Sequence, residues 1–295
     1  MTCGKDVFDR LRALSAALYA NGENYKEPLK DLARTAYLTL STAKGASVLC
    51  WRQFATDVHI LLSLDASNYL DAIGILDRVI ITTGGASRLD LIHILIGRFQ
   101  DGVSCPSCTC PDLQVQRENT MDARPASATC SVPILSIAPS LSAFRNNYSH
   151  APFVLRRYAQ EWPALNEHPW HSIDYLRSVS GPGRVVPVEV GSDYRTADWK
   201  QEIAEWDIFL QSLHSKSPGE APLYLAQHGL FMQFPKLRDD IVIPDYVFTA
   251  PPAPHNYENY APPGNEEQLV LNTWLGPKGT VSPAHTVRKR FLFFV

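Results

Sequence analysis

The chain has 295 residues, enough for two modest domains or one large one with a real hydrophobic core. Apolar residues at 45% and charged residues at 19% form a globular balance, and a net charge of −3 with no long basic run argues against nucleic acid as an obligatory partner. No signal-peptide apolar region opens the chain and no run of about 18 uncharged apolar residues occurs, so secretion and a membrane span are not expected.

An intracellular chain, nuclear or cytoplasmic, is therefore expected, with its six cysteines held as thiols and not as a disulfide framework. Residues 1–100 read as a helical domain. Phe8, Leu11, Leu14 and Leu18 share one helical face, and Trp51, Phe54, Val58 and Leu61 repeat the spacing. Tyr69, Ile73, Leu76 and Ile80 form a third stripe that Gly84-Gly85 terminates. Ser87-Arg88-Leu89-Asp90 resembles a capping box opening a helix with Leu89, Ile92, Leu95 and Phe99 on its buried side. Such stripes bury each other most simply in an antiparallel bundle.

Residues 101–130 are small, polar and proline-bearing and read as a flexible linker. Cys105, Cys108 and Cys110 have metal-like spacing, but a structural zinc site needs four ligands and Cys130 stands alone. Reduced thiols in a linker are the favoured reading.

From residue 131 the texture changes to short strand-like runs. Arg184 to Val190 is β-branched and ends at Gly191, Leu223 to Ala226 reads as a strand, and so does Leu269 to Trp274. The spacing of Trp199, Ile203, Trp206 and Phe209 or Leu210 predicts a helix over 198–213. The prolines of residues 250–264 predict an exposed loop.

Trp274-Leu275-Gly276-Pro277-Lys278-Gly279 places a turn after a strand, and Ser282 and His285 follow it. This stretch resembles the segment of JmjC-domain hydroxylases that leads into the first iron ligand. Earlier blocks resemble the same family in the same order: Val186 to Tyr194 with Trp199, Tyr224 to Gln233, and Leu237 to Tyr246. Pro139-Ser140-Leu141, Phe144, Trp162-Pro163-Ala164 and Tyr175-Leu176 fit the domain's entry. The resemblance is strongest to the subgroup of lysine-specific demethylase 8, and covers about residues 131–285.

The resemblance implies an α+β chain: an N-terminal helical domain, then over 131–295 the incomplete first part of a double-stranded β-helix of the cupin type. It implies Fe(II) held by two histidines and a carboxylate, with 2-oxoglutarate and dioxygen on the open side. It also implies a protein or peptide substrate that is hydroxylated or, where the carbon sits on nitrogen, demethylated. By the same resemblance His285 is a metal ligand, Tyr224 and Ser282 contact 2-oxoglutarate, and Glu189 and Gln227 lie by the substrate pocket. A buried Tyr224–Gln227 polar pair is the competing reading, and His228 carries no assigned role.

The pattern fails at Val287, where the family has aspartate, and neither the second histidine nor the later strands follow. The chain is therefore expected to be a C-terminally truncated, inactive member with no complete catalytic set. The alternative is a non-catalytic interaction module acting through its helical domain.

Overall fold

The computed structural model describes residues 3–20, 25–103, 132–191, 198–213, 221–249, 269–278, 280 and 282. Five helices come first: α1 (Lys5–Tyr19), α2 (Lys26–Leu40), α3 (Ala46–Leu64), α4 (Tyr69–Thr83) and α5 (Leu89–Asp101). Their stripes meet as the periodicity predicts, in two layers. Leu11, Leu29, Leu32, Trp51, Phe54 and Val58 fill the layer between α1, α2 and α3. Ile60, Ile73, Leu76, Val79, Ile92 and Ile96 fill the layer between α3, α4 and α5.

Two expectations for this region are corrected. Ser87 does not cap α5: its φ is +59°, and the N-cap is Arg88 with no side-chain hydrogen bond. The Arg88 guanidinium instead reaches Asp57 at 2.9 Å. Cys3 and Cys50 are not both thiols but a disulfide. The chain entering α1 returns against α3, where the two Cα atoms lie 5.9 Å apart, within the span of such a bridge. Cys105, Cys108, Cys110 and Cys130 lie outside the described residues, as does the loop expected over 250–264.

The second half opens with a short parallel pair, β1 (Ile134–Leu135) and β2 (Val154–Leu155), flanking the single turn α6 (Leu141–Ala143). Then come α7 (Ile173–Ser180), β3 (Val185–Val190), β4 (Lys200–Glu205), α8 (Trp206–Ser212), β5 (Leu223–His228), α9 (Leu230–Gln233) and β6 (Thr273–Leu275). The last four strands form one antiparallel sheet in the order β4-β3-β5-β6. No closed barrel forms among the described residues.

The helix predicted over 198–213 begins only at Trp206. Residues 200–205 pair with β3, Ile203 opposite Pro187, because a β-branched central strand offers a ladder that outweighs local helical spacing. The strand expected over 269–274 is confined to Thr273–Leu275.

Along β3 and β5 successive side chains alternate between faces. Val186, Val188 and Leu225 face a core completed by Ile173 and Leu176 of α7, Trp206, Phe209 and Leu210 of α8, and Leu230, Phe234 and Leu237. Beside this core the Asp240 carboxylate is fully buried. It accepts hydrogen bonds from His168 Nδ1 (2.7 Å), Trp170 Nε1 (2.8 Å) and Tyr175 Oη (2.6 Å), tying the approach to α7 to the turn after α9.

The helices and the sheet are in direct contact. Arg184, just before β3, donates to Asp77 of α4, and Gln100 of α5 donates to the carbonyls of Ser180 and Pro182. Gly183, between them, has φ +77°, and a Cβ there would lie 2.9 Å from Leu70 of α4. Only glycine suits both that backbone and that approach.

Candidate functional site

The sheet face opposite the core carries the candidate site. Pro187 and Glu189 of β3, Gln201 and Ile203 of β4, and Tyr224 and Ala226 of β5 share it, as the register of the three strands requires. Glu189 and Tyr224 are direct cross-strand partners.

Tyr224 also meets Ser282 in a side-chain hydrogen bond. Burial pushes the Tyr224 phenol pKa up, the hydrogen bond to Ser282 pulls it back, and the Glu189 carboxylate raises it further. Thus the structure brings Tyr224, Ser282 and Glu189 together, although Ser282 lies 58 positions beyond Tyr224. The turn after β6 makes this possible: a Cβ on Gly276 would lie 2.8 Å from the Tyr224 ring, so bare backbone is needed for that close approach.

Gln227 is placed differently. It is exposed, with φ +51°, at the bulge between Leu225 and His228 in the pairing with β6. The competing reading of a buried Tyr224–Gln227 pair is therefore set aside. His285 lies outside the described residues.

A cavity of about 260 Å³ opens along β3 and β4, lined by Ile81 of α4, by Pro187, Val188 and Glu189 of β3, by Gln201, Glu202 and Ile203 of β4, and by Ala226 of β5. The wall from α4 was not foreseen. Nor was the buried network behind it. Asp77, within the apolar stripe of α4, accepts from Arg184 Nε (2.9 Å), Arg184 Nη2 (2.6 Å) and the Val185 amide (2.9 Å). Arg184 also donates to the Gln233 carbonyl and lies over the Phe234 ring. Gln233 in turn donates to the Val185 carbonyl and joins His228 Nε2 at 2.7 Å. The available signal was a lone carboxylate between Ile73 and Ile80 on the buried helix face, a position that demands a partner.

The donor set suits the two family ligands unequally. A phenol and a hydroxyl in contact can bind one carboxylate oxygen of a keto acid. For iron, Val287 offers no donor atom where the family has aspartate. Among the described residues no group of three His, Cys, Asp or Glu side chains could hold a metal. No helix among them is long and apolar enough to cross a membrane.

No protein-family model matches the chain. Individual relatives do. Lysine-specific demethylase 8 of Danio rerio is 34% identical over 212 residues, 68% of this chain and 48% of that protein. Lysine-specific demethylase JMJ30 of Arabidopsis thaliana is 42% identical over 149 residues, 50% of this chain and 31% of that protein. Jumonji C domain-containing protein 5 of Drosophila melanogaster is 40% identical over 163 residues, 54% of this chain and 37% of that protein. The chain is thus related to the JmjC-domain proteins, whose fold is cupin-like. Within that group it stands near the proteins named lysine-specific demethylase 8. Its match spans less than half the length of each of these relatives.

Proposed function

We propose that the open face of β3, β4 and β5 is the front wall of a JmjC-type Fe(II)/2-oxoglutarate site acting on a protein or peptide side chain. In this reading Tyr224 and Ser282 hold the keto acid's carboxylate, and Glu189 lines the substrate side, with Gln227 at its rim. His285 is the ligand this chain would offer to iron. When bound, the metal and the keto acid would activate dioxygen, one oxygen atom going to the substrate carbon and the other to the succinate formed from the keto acid; hydroxylation next to nitrogen would release an N-methyl group as formaldehyde. The protein's own part is to orient the keto acid and to seat the substrate.

The Tyr224–Ser282 hydrogen bond beside Glu189 is the observation that carries this reading. The demethylase names of the relatives support a lysine-bearing protein as the substrate class. Val287 in place of the carboxylate ligand leads us to propose further that the 295-residue chain by itself does not turn over 2-oxoglutarate.

The test adds 2-oxoglutarate to the 295-residue chain, reading tyrosine NMR signals and succinate. Tyr224 should respond, Tyr224→Phe should lose the response, and no succinate should form. A response independent of Tyr224, or none, removes the keto-acid assignment. Succinate formation removes the proposed inactivity.

The second reading, an interaction module in the helical region, finds less support. Asp77, His93 and Gln100 of that region are spent on contacts with the second half of the chain.

A further inference from the structure

We infer that Ile81, near the end of α4, is a specificity-determining wall of the substrate cavity, so that the N-terminal helices take part in substrate selection. The inference rests on the functional reading just given and adds a residue from outside the JmjC-like half. It begins with the cavity: every lining residue but one belongs to the sheet, and Ile81 joins them from α4. An aliphatic side chain opposite Pro187, Ile203 and Ala226 makes a slot for a methylene stem. Glu189 and Gln201 give that slot a polar, acidic end. Glu202 is also at the cavity but is already paired with Lys200 at 2.5 Å. Charge complementarity therefore points to the occupant: a peptide side chain with an apolar stem and a cationic head.

Ile81 is not a passing neighbour, because α4 is fixed relative to the sheet. One turn earlier, Asp77 accepts from Nε and Nη2 of Arg184 and from the Val185 amide at the start of β3. Behind that, a Cβ on Gly74 would lie 4.0 Å from Val185 Cγ1. On the other side of α4, Thr82 bonds Tyr37 of α2 at 3.0 Å, so the helix end is held from the bundle as well. A residue i+4 from such an anchor stands on the same helix face, directed at the same strand. Position 81 thus sets the width of the slot, while the sheet residues set its depth and charge.

The experiment uses the 295-residue chain and acetylated peptide amides with a central lysine, ornithine, arginine or norleucine, followed by NMR titration. Lysine or arginine peptides should bind more tightly than the norleucine peptide, and Glu189→Gln should erase that preference. Ile81→Trp, which fills the slot, should weaken binding roughly tenfold, while the Tyr224 response to 2-oxoglutarate persists. Ile81→Ala, which widens it, should shift the lysine-to-ornithine ratio several-fold and decides the matter if the tryptophan variant does not fold. Unchanged binding by Ile81→Trp, an unchanged ratio in Ile81→Ala, or norleucine binding as tight as lysine overturns the inference. A chain that answers 2-oxoglutarate through Tyr224 but no peptide fells the cavity assignment alone. A chain that answers neither fells the underlying functional reading too.

Discussion

Asp77 and Arg184, 107 positions apart, form a two-point ion pair at 2.6 and 2.9 Å in the seam between helix and sheet. Neither has meaningful access to water: Asp77 is 0% and Arg184 6% exposed. Desolvating two charges is costly, and the pair persists because every strong partner is present. The carboxylate takes a third bond from the Val185 amide, and the guanidinium takes carbonyls of Ser180 and Gln233.

Breaking one side of this pair leaves an uncompensated buried charge. Asp77→Ala or Arg184→Ala is expected to lower stability by about 3–5 kcal/mol, read from urea unfolding. Replacing both with well-packed apolar residues, Asp77→Leu with Arg184→Met, should recover most of the loss. A double variant as unstable as the sum of the singles would mean that the two side chains act independently.

Three histidines are expected to cost the fold stability in acid. Burial is the main cause that lowers the pKa of His59, His93 and His228 below 6.5, and Arg184 lowers that of His93 further. Between each depressed folded-state value and 6.5 the unfolded chain holds more protons, so stability rises with pH. The contribution is complete above about pH 6.5 and lost as pH falls through the folded values. His228→Gln should make the unfolding free energy from urea titrations fall less steeply on acidification, by up to about 1.4 kcal/mol per pH unit. An unchanged slope would exclude His228 as a contributor.

The limits of sequence reading show in this same seam. The helical stripes of α3 and α4 were legible because a single period decides which side chains are buried. Residues 200–205 read as helix because Ile203, Trp206 and Leu210 obey helical spacing locally, while the ladder opposite Val186 and Val188 is non-local. Glu189 and Tyr224 were picked by resemblance, and their contact follows from the register of β3 and β5, which no local pattern encodes. Ile81 was one apolar residue among many until α4 was placed against the sheet. The Cys3–Cys50 bridge is not legible in the sequence, because the proximity of two residues 47 positions apart comes only with the fold.

That bridge gives a further prediction. It closes a loop with a sequence separation of 47 residues between the entry to α1 and the first turns of α3. Constraining the unfolded chain in this way is worth about 2–4 kcal/mol. Cys3→Ser should lower stability by that amount in non-reducing buffer and change nothing once a thiol reductant is present. Free thiols at both positions in protein purified without reductant would refute the bridge.

Asp240 should behave as a hub. It binds His168, Trp170 and Tyr175 at once, and burial together with Asp240 pushes the Tyr175 phenol pKa up. Asp240→Ala strands three donors, each costing about 1–3 kcal/mol where it stays buried. The expected result is a loss of stability with a shift in Trp170 fluorescence. A variant that keeps the native emission and midpoint would show that the three donors find water instead.

The last prediction concerns separability. Residues 132–295 expressed alone would lose Asp77 from Arg184, His93 from the Met232 carbonyl and Gln100 from the Ser180 and Pro182 carbonyls. The buried guanidinium would then face either water or nothing, and Leu70 and Ile73 would no longer cover the Gly183 turn. Such a fragment should show weak near-ultraviolet circular dichroism and no cooperative unfolding. Adding residues 1–103 in trans should restore both, since the seam uses complementary side chains and not chain continuity. A cooperative fragment that ignores the added helices would establish the sheet as an independent domain, and Ile81 would then be dispensable to its fold.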